Sequence, residues 1–402
     1  MRPFGDTIPL DAARAIVDRS GTPVACIEQI PLDAANGRVV ARDVVAAVDV
    51  PPFSRAAMDG YAVRAADTRG ASRSQPQSLR QVGTLYTGQL SAIGVGTGEC
   101  IEIATGAPMP DAADAVVMVE ETDCDADGRV RVFAEVQSMQ NVGRRGADIR
   151  AGQTVLSSGE ELNSSRVGAL AAVGLARVDV YERPRVAILS TGNEVAEPGQ
   201  PLKPGQIYDI NRFTLSAVVA DSGGVAVPFP PAADTLESLT EALDKCLAHD
   251  VVVFSGGSSV GERDLMIDVL SAKGDVLFHG ISVKPGKPTG FAIVAGKPVF
   301  AMPGYPASCL TNAHILLAPL IRRMAHLAPK RARVVTVPLA RRIASAPKRH
   351  QFLTVRIVDG AAVPAFKASG DITSMSQADG YIEIPAEVES VERGCLVNVT
   401  LF

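Results

Sequence analysis

Three short stretches of this 402-residue chain gather small, polar and charged residues that could act together. The first is Ser190-Thr191-Gly192-Asn193-Glu194. The second runs from Ser255 through Gly256, Gly257, Ser258, Ser259, Val260, Gly261, Glu262 and Arg263 to Asp264. The third is Pro303-Gly304-Tyr305-Pro306-Ala307-Ser308. Each follows an unbroken apolar run, so each is expected at the end of a buried strand. Glycines there let backbone N–H groups approach an anion, and Ser and Thr hydroxyls add donors. Glu194 and Asp264 are hard oxygen ligands of the kind Mg²⁺ shares with a phosphate. Together the loops suggest a site for a phosphorylated ligand and a divalent cation. Taken singly, a Gly-Gly pair can equally do no more than turn the chain. A fourth stretch, Lys284-Pro285-Gly286-Lys287-Pro288, brackets a Pro-Gly turn with two ammonium groups. Such a pair suits an oxyanion, or it is an ordinary solvated turn. Neither a GxGxxG nor a Walker A motif is present, so dinucleotide and P-loop readings lose support.

Periodicity supplies the surrounding elements. Ile8, Ala12, Ala15 and Ile16 predict a helix over 6–20. A β-branched run comes next and stops at Pro51-Pro52. Residues 51–145 read as short, glycine-rich strands of a small β module. Within it, Asp59-Gly60, Thr105-Gly106-Ala107-Pro108 and Arg144-Arg145-Gly146-Ala147-Asp148 put polar residues beside forced turns. Asp59 can there be a turn former and nothing more. Asn163-Ser164-Ser165 is an N-cap signal, predicting a helix that continues over 163–180. From about 183 to 326, apolar strands (PRVAILS, VAVPFP, HDVVVFS, VLFHGIS, KPVFAMPG) alternate with helices over 209–222, 234–248, 263–273 and 306–325. That alternation predicts a doubly wound parallel sheet. From about 328 the pattern returns to alternating strands, a small separate β domain.

Composition bounds the rest. Apolar residues make up 47% and charged residues 21%, which is ordinary for a globular chain and argues against disorder. The net charge of −5, with 4% aromatics and no Trp, argues against a nucleic-acid face. Six cysteines form no CxxC pair and five histidines no HExxH, so neither a disulfide scaffold nor a zinc motif is expected. No apolar run reaches the length of a signal peptide or a membrane span, so the expectation is a soluble, cytoplasmic protein without membrane contact.

Eight motifs occur in order: SRAAMDGYAV, IATGAPMPDAADAVVMVE, RRGADIRAGQ, STGNEV, PGQIYDINRFTL, SGGSSVGERD, HGISVKPGKP and MPGYPAS. With them nearly the whole chain resembles the molybdopterin molybdenumtransferase family. These are the molybdenum insertases of molybdenum-cofactor synthesis, related to the C-terminal domain of gephyrin. The resemblance implies a multidomain α/β plus β fold. An elongated helix-strand dimerisation domain would comprise 1–50 and 146–179, with a β-rich domain inserted at 51–145. A central doubly wound α/β molybdopterin-binding domain would span 180–327, and a β-barrel-like domain 328–402. It implies a homodimer whose active site is shared between subunits, and is compatible with contact to the molybdopterin adenylyltransferase. The implied reaction cleaves the pyrophosphate link of adenylylated molybdopterin with Mg²⁺, releases AMP and inserts molybdenum from molybdate.

Carried over residue by residue, the resemblance makes Asp59, Thr105, Asp148, Glu194 and Asp264 catalytic, with Glu194 and Asp264 also holding Mg²⁺. Thr191, Gly192, Asn193, Gly256, Gly257 and Ser259 would cradle the pterin and its phosphates. Lys284, Lys287 and Ser308 would form an oxyanion pocket for molybdate, with Pro303 and Gly304 completing the substrate contacts. Two positions depart from the family pattern. Tyr305 stands where Pro-Gly-Asn-Pro is usual. Gln351-Phe352-Leu353-Thr354 stands where Glu-Phe-Leu-Arg is usual, so Thr354 replaces a guanidinium and Gln351 a carboxylate, with Arg349 and Arg356 nearby. A lost ionic donor to an oxyanion is worth about 1.5–3 kcal/mol. These departures raise an alternative: a diverged paralogue that carries or scaffolds molybdopterin or its nucleotide without efficient insertion.

Overall fold

Unbroken apolar runs in the second half of the chain become the inner strands of a six-stranded sheet, since burial on both faces leaves no polar alternation. The computed structural model describes residues 7–125, 127–256 and 265–402. The strand order is Val225–Pro228, Arg185–Ser190, Val251–Ser255, Lys297–Met302, Gly290–Val294 and Asp275–His279. The first four are parallel, whereas Gly290–Val294 runs antiparallel between its two neighbours. The sheet is therefore mixed, which corrects the all-parallel expectation. Only Ala295 and Gly296, both at positive φ, link Gly290–Val294 to Lys297–Met302. A two-residue link closes a hairpin, and a parallel crossover needs far more chain.

Helices cover both faces. Leu10, Ala13 and Val17 of the helix Leu10–Ser20 join Leu215, Val218, Leu320 and Ile321 over Val186, Ile188, Val253 and Phe300. On the other face, Leu239, Leu243, Met266 and Leu270 pack on Ala187, Leu189, Val252 and Phe254. Successive residues of one strand thus feed opposite cores, and the domain is doubly wound. The first helix is expected with 146–179, but its apolar stripe is buried against the sheet. Accordingly the chain divides into two compact units, Met1–Glu28 with Tyr181–Phe402, and Gln29–Val180. The helix expected over 306–325 consists of Pro306–Asn312 and Ala318–Met324 joined by a π-helical turn, Ala313–Leu317.

The C-terminal strands form a sheet ordered Val283–Lys284, His350–Val358, Gly380–Ile384, Leu396–Leu401 and Val334–Pro338. Its first strand comes from the lysine-bearing turn and pairs Lys284 with Gln351. Val337, Leu339, Leu353, Val355, Ile382 and Val399 fill its core.

In the unit Gln29–Val180, a second six-stranded sheet has the order Ala115–Met118, Gly60–Val63, Glu99–Ile103, Gln77–Leu85, Arg129–Val132 and Thr122–Cys124. Tyr61 and Val63 enter one core and Ala62 another, so Gly60–Val63 is buried on both faces. A further core joins Ile30, Val40, Leu156, Leu162, Leu170, Val178 and Val180. The helix expected over 163–180 is shorter. It spans Ser164–Ala172, with the Asn163 side chain accepting from the Arg166 N–H. Gly174, at φ 82°, ends it. Arg177–Tyr181 is then a strand that buries Val178 and Val180, the period-2 pattern that the apolar count of this stretch masks. Among the described residues, no helix is long and apolar enough to cross a membrane.

Candidate active site

Ser190, Ser255 and Met302 are register partners, so three of the loops leave the sheet at one level. The ladder runs one residue further. The Thr191 N–H donates to Ser255 O at 2.9 Å, and the Gly256 N–H to Met302 O at 3.2 Å. Gly256 adopts φ 112°, and a Cβ there would lie 2.3 Å from Thr191 O. A Cβ on Gly304 would lie 3.4 Å from Gly256 Cα. Gly256 therefore packs directly on the Thr191 carbonyl, an approach that glycine alone permits, with Gly304 in van der Waals reach on its other side.

Two residues with no catalytic signature in the sequence complete this end of the sheet. Asn211 opens the helix Asn211–Asp221, and its Nδ2 donates to Gly304 O at 2.9 Å. Asp209 is buried, and its Oδ1 accepts from the Arg212 N–H at 3.0 Å. The signal is present in the motif PGQIYDINRFTL, where an Asp-x-Asn pair precedes an apolar helix. The oxygens left unpaired are informative. Among the described residues, Thr191 Oγ1, Asp209 Oδ2 and Asn211 Oδ1 are buried and find no hydrogen-bond partner. Such an atom costs about 1–3 kcal/mol, which a bound ligand or ordered water relieves. Burial first, and the Asp209 charge second, push the Cys309 thiol far above its ordinary range, so that neighbour is an inert, protonated group.

The exposed Glu194 lies just beyond Gly192, whose φ is 128° and whose Cβ, if present, would lie 2.5 Å from the Glu194 carboxylate. Asn193 is exposed beside it. Gly257, Ser259 and Asp264 lie outside the described residues. Among the described residues no group of three or more His, Cys, Asp or Glu could by itself hold a metal ion. Mg²⁺ needs no such cage, because it commonly takes one or two carboxylates and completes its shell with water and substrate phosphates. The Glu194 carboxylate and the unpartnered Asp209 Oδ2 are hard oxygens of that kind.

The lysine turn is pinned from below. Asn312, fully buried on the helix that carries the buried Ser308, donates to Gly286 O at 2.8 Å and to Thr289 Oγ1. Gly286 has φ 103°, and a Cβ there would meet Asn312 Nδ2 at 2.3 Å. Lys284 is exposed and Lys287 half-buried. The only sequence signal for Asn312 is its place as an amide in an otherwise apolar helical run. The departures from the family pattern have distinct fates. Gln351 Oε1 accepts the Ala346 N–H at 3.0 Å, a structural bond within the C-terminal domain. Thr354 is buried, its Oγ1 without a partner among the described residues, in a cavity also lined by Pro285, Thr311 and Phe352. Arg349 and Arg356 are exposed.

The remaining predicted residues lie in the unit Gln29–Val180. Three loops are stitched together there: Ala56 N–H to Ala107 O, Gly106 N–H to Ala56 O, Ala57 N–H to Asn141 O, and Arg145 N–H to Ser54 Oγ. Asp59 and Thr105 meet directly. One Asp59 oxygen accepts from the Thr105 N–H at 2.7 Å and from its hydroxyl at 2.9 Å. Those two bonds, the backbone one foremost, hold the Asp59 carboxyl below the usual carboxylate range. Asp148 is exposed in the adjoining turn, with its N–H on Val50 O. That turn is braced by Asp49, which sequence spacing does not mark. Asp49 accepts from the Ala151 N–H at 2.9 Å and from Arg145 Nε at 2.5 Å. The same two donors, in that order, lower its pKa.

Family models match along the chain: the MoeA N-terminal region (domain I and II) over 8–174, the probable molybdopterin binding domain over 187–323, and the MoeA C-terminal region (domain IV) over 336–402. The chain is 34% identical to molybdopterin molybdenumtransferase 2 of Mycobacterium tuberculosis, covering 92% of this chain and 94% of that one. It is 33% identical to the molybdopterin molybdenumtransferase of a Nostoc species, covering 89% and 85%. A molybdopterin biosynthesis MoeA protein from Pyrococcus horikoshii superposes with a TM-score of 0.87 at 40% identity, over 98% of this chain and 99% of that one. With its three regions matched in order and its relatives aligned over nearly their full length, the chain belongs to the MoeA family of molybdopterin molybdenumtransferases.

Proposed function

We propose that the chain inserts molybdenum from molybdate into adenylylated molybdopterin, with release of AMP. Beside family membership, one observation carries this reading. At the carboxyl end of an α/β sheet, where such sheets bind ligands, Thr191 beside Gly256 and Asn211 on Gly304 each keep a buried oxygen without a partner among the described residues, as does Asp209 two positions before Asn211. Thr191, Gly192, Asn193 and Gly256, with Gly257 and Ser259, cradle the pterin and its phosphates. Lys284, Lys287 and Ser308 hold molybdate, while Pro303 and Gly304 keep the floor low enough for it to approach. Glu194 and Asp264, with Asp209 as a further hard-oxygen donor, would hold Mg²⁺, which when bound draws charge from the phosphate oxygens.

Asp59, Thr105 and Asp148 act from the second copy in a homodimer. Asp59 is a poor proton acceptor, because its hydrogen bonds favour the ionised form. Its role is a fixed, oriented negative charge that positions a donor on the substrate. Cytoplasmic location and receipt of substrate from the molybdopterin adenylyltransferase belong to the same reading. The test is to incubate the protein with adenylylated molybdopterin and Mg²⁺, with and without molybdate. AMP release that rises with molybdate, together with reconstitution of a molybdenum-free apoenzyme, is the expected result. Pterin binding with no molybdate-dependent AMP release would instead point to the carrier alternative.

A further inference from the structure

We propose that Tyr305 is a stacking platform for a planar heteroaromatic ring of the ligand, a pterin or a purine; this rests on the reading of the sheet end as the site for adenylylated molybdopterin. The chain has 6 Tyr, 12 Phe and no Trp, and most of its large aromatic side chains lie in cores or are partly covered. Tyr305 is 65% exposed, at the carboxyl end of Lys297–Met302. It follows Gly304 directly, so its backbone adjoins the Gly256 contact and the carbonyl held by Asn211 Nδ2.

The backbone that carries the ring is held firmly. Tyr305 is the N-cap of Pro306–Asn312, its carbonyl accepts the Cys309 N–H at 2.9 Å, and Pro306 fixes the next φ. The Ala307 N–H is bound to Ser369 O at 3.0 Å, which ties this corner to the C-terminal domain. In the same segment, Gly370 lies along one edge of the ring, and a Cβ there would be 3.6 Å from Tyr305 Cδ1. An exposed aromatic ring, edged by Gly370 and one residue from the Gly304 carbonyl that holds Asn211, offers a face to stack on, and the buried Asn211 Oδ1, without a partner among the described residues, is an acceptor for polar groups of the same ligand. The Asn that the resemblance leads one to expect at this position supplies no such face.

The experiment is calorimetric titration of the full chain with AMP, with pterin-6-carboxylate and with molybdate, for the wild type, Tyr305→Ala and Tyr305→Phe. Tyr305→Ala is expected to weaken at least one ring ligand by about tenfold or more, the usual scale for loss of a stacking partner. Tyr305→Phe should stay within about twofold of wild type, and molybdate binding within about twofold for both variants. Loss confined to AMP assigns the platform to the adenine, and loss confined to the pterin assigns it to the pterin. The proposal is overturned if the wild type binds neither ring ligand, if Tyr305→Ala binds both as the wild type does, or if Tyr305→Phe loses as much as Tyr305→Ala. Absence of molybdate-dependent AMP release, with the Tyr305→Ala effect intact, would sink the functional reading and leave the platform standing.

Discussion

At the carboxyl end of the α/β sheet, Thr191, Asp209 and Asn211 each keep a buried oxygen that meets no partner among the described residues. In the unit Gln29–Val180, by contrast, the exposed Asp59 has one oxygen held twice by Thr105, and the partly exposed Asp49 has its two oxygens on Ala151 and Arg145. A polar atom left unsatisfied in the interior calls for a ligand, because its desolvation is otherwise uncompensated. A carboxylate satisfied at the surface calls for none. Its hydrogen bonds fix its direction and keep it ionised, which is what a group offered to another molecule needs. One region thus has the character of a binding pocket, and the other of a presented charge.

The sharpest way to break that comparison is complementation. Asp59→Asn and Lys284→Gln are each expected to lower turnover at least about a hundredfold, the scale of lost positioning. In the proposed shared-site homodimer, mixing the two chains should restore roughly a quarter of wild-type activity, because half the dimers are then mixed and each mixed dimer has one intact site. No recovery on mixing would show that both residues serve a site within one chain.

Gly256→Ala comes next. Its Cβ would press on Thr191 O from a left-handed backbone, so a loss of about 3 kcal/mol in denaturant unfolding is expected, with ligand binding abolished. An unchanged midpoint would mean that the two loops are not so closely stacked.

Asn312→Ala should cost about 1–3 kcal/mol by leaving Gly286 O and Thr289 Oγ1 short of a donor. Because the lysine turn loosens while the sheet end does not, KM for molybdate should rise several-fold with AMP affinity unchanged. Equal losses of both affinities would remove the distinction between the two subsites.

The smallest effect concerns pH. A carboxyl whose folded pKa is lowered adds stability above its unfolded value of about 3.9, and that stability is lost as pH falls through the folded value. Asp49→Asn should therefore unfold at a slightly lower temperature than wild type near neutral pH, with the gap closing as pH falls through the lowered folded value. Melting curves recorded by circular dichroism across pH 2–7 would check this. A gap that persists at the acid end would mean that Asp49 acts through something other than its charge.

Much of the molecule is legible in order and pattern. Apolar runs ending in Gly, Ser and Glu mark the strand ends, and turn residues mark Asp59 and Thr105, which the fold does bring together. Asn312 and Asp49 carry no such mark, and Asp209 and Asn211 only the weak one of an Asp-x-Asn pair before an apolar helix. Each is an ordinary polar residue whose role depends on a distant partner or on burial, as the Asn211–Gly304 separation of 93 shows. The expected helix over 163–180 runs too long for a related reason: apolar content alone does not separate a short helix from the strand after it.

The residue order alone therefore determines local features: the turns, the caps, the alternation of strand and helix, and the motif series that marks the family. These depend on backbone sterics and on the period of apolar residues, both of which act over a few positions. Long-range packing supplies the rest. It turns Gly290–Val294 into an antiparallel strand, docks Leu10–Ser20 on the sheet, and pairs Lys284 with Gln351. It also chooses which oxygens stay buried without a partner, and that choice distinguishes a glycine turn from a site.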